Sequence, residues 1–139
     1  MAKAIRDVMT TDPVSMPASA TVLDAARKMR EESIGAVLVL EGEQVCGILT
    51  DRDVVVRSVA AGQQPAATTL NQVCSQHLAT VSPDDHLGVA VRLMRDKAVR
   101  RVPVVDHDRP VGIVSLGDLA RGRDRESALG VISAAPPNV

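Results

Sequence analysis

Two short stretches of the sequence set a hydroxyl and a carboxylate three positions apart at the end of an apolar run. They are Gly47-Ile48-Leu49-Thr50-Asp51-Arg52-Asp53 and Gly112-Ile113-Val114-Ser115-Leu116-Gly117-Asp118. The apolar residues read as a buried strand and the polar ones as the start of a helix. At such a junction the Thr or Ser hydroxyl stands beside unpaired backbone N–H groups, where the helix dipole favours an anion such as a phosphate. Asp53 and Asp118 fall in the first helical turn. An ionised carboxylate only accepts hydrogen bonds, which suits the neighbouring hydroxyls of a sugar. Gly47 and Gly112 carry no side chain that would hold another group away from the strand. The same residues also read as ordinary helix starts, with Thr50 and Ser115 as N-caps and the two aspartates as favourable first-turn acids.

The elements that must position these residues occur twice. Asp118 follows Asp53 by 65 positions, and at that shift Ala25 meets Ala90, Met29 meets Met94, Val39 meets Val104 and Gly47 meets Gly112. Near Pro17 and Pro83 the register slips by one. Two copies are too few for a solenoid and suggest a pseudo-twofold pair whose apolar faces cover each other. Each copy reads as a short helical lead-in (Ile5 to Met9; Leu70 to Cys74) and then a brief strand (Val14 to Met16; Thr80 to Ser82). An amphipathic helix follows, with Val22, Ala25, Ala26 and Met29 on one face in the first copy and Leu87, Ala90, Val91 and Met94 in the second. Thr21 and Asp24 are spaced as a capping box for the first helix, and Asp84 and Asp85 signal the start of the other. A buried strand pair and a last helix complete each copy. The first copy is predicted at 1–62, the polar linker at 63–69 and the second copy at 70–122. The tail at 123–139 is read as a helical extension that becomes disordered at Pro136-Pro137.

Composition narrows the function. At 139 residues, with 45% hydrophobic and 24% charged, the chain has the balance of a soluble globular protein. No apolar run has the length of a membrane span and no signal peptide is recognisable, so a cytoplasmic location is expected. The net charge of −1 and the absence of Phe, Tyr and Trp argue against nucleic acid as partner, since neither a basic field nor a stacking platform is present. Cys46 and Cys74 read as two buried thiols. His77, His86 and His107 lack metal-site spacing, and no catalytic set stands out, so neither a metal nor an enzyme is expected.

The duplicated Gly, apolar, apolar, Thr/Ser, two variable residues, Asp pattern resembles the signature of the CBS domain. Ile5-Arg6-Asp7-Val8-Met9, Val81-Ser82-Pro83-Asp84-Asp85 and Val102-Pro103-Val104-Val105-Asp106 are similar to that family as well, and the resemblance runs from about residue 4 to 121. It implies an α/β (α+β) fold of two tandem βαββα units packed through their sheets, with a cleft on each side. It also implies a stand-alone regulatory module that binds AMP, ADP or ATP, or alternatively S-adenosylmethionine or an NAD-type ligand. No covalent cofactor is implied. A ligand-free dimerisation or interaction scaffold is the competing expectation.

With no aromatic ring available, an adenine is expected between Val14, Ile34 and Ala36 in one cleft, and between Val81, Val99 and Pro103 in the other. Arg52 reads as a surface residue or a phosphate ligand, and Arg101 as a phosphate ligand beside Ser115. Because Arg100 and Arg101 replace Gly35 and Ala36, the second cleft is expected to bind better. A homodimer through the helix faces around Met29 and Met94, and an unidentified regulated protein, are the expected macromolecular partners.

Overall fold

The apolar runs that follow the two amphipathic helices form β-hairpins, and each hairpin takes on a third short strand to make a three-stranded sheet. The computed structural model describes residues 3–75, 79–123 and 127–136. The chain divides into two units, one of Val14–Leu78 and the other of Met1–Pro13 together with Ala79–Asn138. The first strand of the chain, β1 (Thr10–Thr11), therefore belongs to the second unit.

In the first unit β2 (Ser15–Pro17) leads into α1 (Val22–Glu32). Thr21 and Asp24 form the predicted capping box: the Asp24 amide donates to Thr21 Oγ1 at 3.1 Å and the Thr21 amide to Asp24 Oδ2 at 3.2 Å. The hairpin β3 (Ala36–Glu41) and β4 (Gln44–Thr50) follows, with Gly42 at φ +62° in its turn, where a side chain would be strained. β2 runs parallel to β3, and β4 antiparallel. The last helix does not run as one regular α-helix from Asp51. α2 (Asp51–Asp53) passes into a π-helical stretch, Val54–Val59, and α3 (Leu70–Val73) follows the linker. Val22, Ala25 and Met29 of α1 pack on Val37, Val39 and Leu49 of the sheet and on Leu70, Val73 and Cys74.

The second unit repeats the plan with α4 (Leu87–Lys97), β5 (Arg101–Asp106), β6 (Arg109–Ser115) and α5 (Leu116–Arg123), and adds α6 (Ala128–Ala134). Its core joins Ile5 to Val81, Leu87, Ala90, Met94, Val102, Val104, Val114 and Leu119. The strand predicted at Thr80 to Ser82 shrinks to one parallel bridge, Val81 to Val104. The α4 cap is His86, whose Nδ1 accepts from the Gly88 amide at 3.1 Å. The predicted start signals serve elsewhere, Asp85 accepting from the Ser82 amide and Asp84 pairing with Arg6. Within the tail, Ser127 caps a separate helix, α6; Pro137 lies outside the described residues.

The repeat and the packing unit are not the same stretch of chain. The lead-in that the repeat assigns to the first copy packs with the second unit, where β1 pairs antiparallel with β6, Thr10 opposite Ile113. The second copy's lead-in does the converse: Ser75 bridges Ile48 of β4 inside the first unit. Met29 and Met94, expected on partner-facing surfaces, lie instead in the cores of their own units.

Candidate functional site

Each Thr/Ser and Asp motif sits where a hairpin's second strand turns into a helix, and the ladder fixes what lies opposite it. Ala36 pairs with Thr50, and Arg101 with Ser115, so the predicted Arg101–Ser115 neighbourhood is present. The Asp51 amide donates to the Gly35 carbonyl at 3.0 Å and the Leu116 amide to Arg100 at 2.9 Å, locking each helix start to the neighbouring strand. Val14 lies beside the first motif's sheet, its carbonyl accepting from the Leu38 amide at 2.9 Å, and Ile34 packs on the same core. Val14, Ile34, Ala36, Thr50 and Asp53 are thus collected in one unit.

The motif residues close on each other as reciprocal caps. The Asp53 amide donates to Thr50 Oγ1 at 3.2 Å and the Thr50 amide to Asp53 Oδ2 at 2.9 Å; the corresponding distances at Ser115 and Asp118 are 3.1 and 2.8 Å. With the Arg52 amide donating to Asp51 Oδ1 at 2.9 Å, all three first-turn amides of the first motif have partners. The unpaired N–H groups expected there to receive a phosphate are therefore occupied. The Thr50 hydroxyl and the Asp51 carboxylate take two of these amides locally, and the Gly35 carbonyl takes the third, before any ligand arrives.

What each acid has left differs between the copies. Asp53 keeps Oδ1, with Arg57 Nε at 3.7 Å. Asp118 has Oδ1 engaged by Arg121, whose Nη1 also donates to the Ser133 carbonyl of α6 at 2.6 Å. Both acids are nearly buried, Asp53 being 9% and Asp118 4% exposed. Arg57 and Arg121 were not among the candidates read from the sequence. Their positions four and three residues after the acids, on one helical face, were the available signal.

The base-flanking residues of the second copy are not brought together on an accessible surface. Val81 and Pro103 are core residues with almost no exposed area, while Val99 and Arg100 border a separate cavity of ≈ 700 Å3 with Leu116 and Leu129. Arg52 is exposed, in keeping with the surface reading. A cavity of ≈ 560 Å3 adjoins Asp118 and Arg121, bounded also by Lys3, Asp7 and Gly130.

The motif glycines serve the exchanged lead-ins. A Cβ on Gly47 would lie 2.6 Å from Cys74 Sγ, and one on Gly112 would lie 2.8 Å from both Met9 Sδ and the Thr10 carbonyl. The close approach anticipated at these glycines is made by the Cys74 and Met9 side chains and by the Ser75 and Thr10 carbonyls. Cys46 is half-buried and Cys74 buried; both are free, and burial raises the thiol pKa of each. Among the described residues no group of three His, Cys, Asp or Glu side chains could hold a metal ion, and His77 lies outside them. No helix among them is long and apolar enough to cross a membrane.

Two like α/β units, each ending its hairpin in a capped hydroxyl and acid pair, define a duplicated two-unit module. The CBS domain profile matches residues 5–59 and 70–124, and the chain belongs to the CBS domain family as a tandem pair. The CBS domain-containing protein YhcV of Bacillus subtilis is 38% identical over 117 residues, covering 84% of this chain and 83% of that protein. The crystal structure of hypoxic response protein 1 of Mycobacterium tuberculosis, with two coordinated zinc ions, is 33% identical and superposes with a TM-score of 0.79 over 86% of this chain and 98% of that one. The CBS domain pair of protein MJ0100, crystallised with 5-methylthioadenosine and S-adenosyl-L-methionine, shares the fold at a TM-score of 0.82 and 20% identity, over 91% of this chain and all of that one.

Proposed function

We propose that this chain is a regulatory sensor of an adenine nucleotide, AMP, ADP or ATP, and not an enzyme. The observation that carries the reading is the twofold placement of a hydroxyl and a nearly buried acid at a strand-to-helix junction. The acid takes the ribose hydroxyls, with Asp53 Oδ1, the oxygen that the Thr50 amide leaves, as the acceptor in the first motif. Because its first-turn amides are already bonded, the phosphate is carried there by cationic side chains, Arg57 and Arg52. In the second motif Arg101 beside Ser115 plays that part. An S-adenosylmethionine-type ligand is the nearest chemical relative, supported by the ligands of the MJ0100 pair.

A ligand-free scaffold is the second reading, favoured by the closed capping boxes at both motifs. Thermal melting with AMP, ATP and S-adenosylmethionine separates the two, since a ligand at 100 times its Kd stabilises by about 2.7 kcal/mol. Calorimetric titration then locates the site. Asp53→Ala is expected to weaken nucleotide binding at least about tenfold, because charge-assisted hydrogen bonds are worth about 1.5 to 3 kcal/mol each. No melting shift with any of the three ligands would leave the scaffold standing.

We further propose a homodimer. With Met29 and Met94 inside the units, the apolar surface that supports it is the π-helical stretch, where Val55, Val56 and Val59 are exposed. Light scattering at micromolar concentration is expected to report twice the 14.7 kDa chain mass. A single-chain mass across that range would refute the dimer.

A further inference from the structure

The two motifs are built alike, but among the described residues the second alone is tied to a following helix by its own arginine. Arg121 ties the two together by bonding both Asp118 Oδ1 and the Ser133 carbonyl of α6. The contact is close: a Cβ on Gly117, inside the motif, would come within 2.8 Å of Ser133 Oγ. Gly130, Val131 and Ala134 of α6 border the ≈ 560 Å3 cavity next to Asp118.

The helix nevertheless buries few of its own side chains. Gly130 is its one buried residue, whereas Val131 is 58% and Ile132 70% exposed. Val131 and Ile132 therefore contribute little to docking, and the contact rests on Leu129, which is 44% exposed, on small residues and on the Arg121 bridge. Elements with few buried apolar contacts open at low cost.

We propose that α6 is an autoinhibitory strap over the second motif, its Ser133 carbonyl holding Arg121 of α5 on the carboxylate oxygen that a ribose would use. This rests on the nucleotide reading above. The second motif then has the richer positive charge, from Arg100 and Arg101, but is held closed until α6 lifts. A strap closed about nine-tenths of the time weakens the apparent affinity about tenfold.

The test uses Asp53→Ala throughout, which silences the first motif, and calorimetric titration of AMP and of ATP. In that background three chains are compared: full length, one ending at Arg123, and full length with Gly117→Ala, whose new Cβ pushes on Ser133. Far-ultraviolet circular dichroism checks that each is folded. The expected result is a gain of at least about tenfold in affinity in both altered chains, abolished by adding Asp118→Ala. Equal binding in all three, with Asp53-dependent binding intact in the parent protein, would overturn the strap and leave the nucleotide reading in place. Absence of binding in the parent and in every variant would overturn both.

Discussion

Met94→Glu is expected to unfold the unit built on β5 and β6 and not to split a dimer. Met94 is 8% exposed and packs with Ile5, Leu87, Ala90 and Val104, so the substitution puts a carboxylate into an apolar core, at the edge of the cavity that Arg95, Arg100 and Arg123 also border. An unpaired buried charge costs about 3 to 5 kcal/mol, a large part of the 5 to 15 kcal/mol that hold a typical domain together. The side chain's amphipathic spacing on α4 is equally compatible with an interface, and the core contacts decide between the two. The measurement is a urea or thermal unfolding curve followed by far-ultraviolet circular dichroism, since the chain has no Tyr or Trp to report by fluorescence. A variant with the parent's unfolding midpoint and half its mass would place Met94 on a surface instead.

The second large effect is expected at the motif glycines. Gly112→Val puts branched carbon against Met9 and the Thr10 carbonyl, and Gly47→Val puts it against Cys74 and Ser75. The Met9 and Cys74 side chains can turn aside, but the backbone carbonyl of Thr10 cannot without breaking its pairing with β6. Overpacking of this kind costs about 1 to 3 kcal/mol or more. Unfolding curves should therefore show both variants destabilised, and Gly112→Val with a weakened hold on residues 3–13. Faster proteolysis near the N-terminus than in the parent protein would show that loss directly. Unchanged midpoints in both variants would mean that the glycines are not needed for the lead-ins.

Reading the aspartates as ligand groups from spacing alone left out what their own neighbourhoods do to them. Thr50-Asp51-Arg52-Asp53 is a capping box as well as a family motif, and the same four residues satisfy both descriptions. The spacing could not say that Asp118 has a second partner in Arg121, because the arginine's position is explained as well by an ordinary exposed helix face. The π-helical stretch was likewise invisible, since residue types such as the valines of Val54–Val59 do not distinguish one helical hydrogen-bond pattern from another.

What the sequence by itself determined is the part of the structure that rests on periodicity and on near neighbours of unambiguous type. The repeat, the apolar faces of α1 and α4, the hairpins β3–β4 and β5–β6, and the Thr21 cap all follow from periodicity and from groups within four residues of one another. Only the tertiary structure decided which unit each lead-in joins, why Gly47 and Gly112 must lack a side chain, and that Arg121 joins α6 to Asp118. The physical reason is that these contacts join residues far apart in the chain, such as Thr10 and Ile113 or Ser75 and Ile48. A segment as short as β1 has the same local preference whichever sheet it joins, so the choice falls to the packing of Ile5 and Met9 against one core and of Val73 and Cys74 against the other.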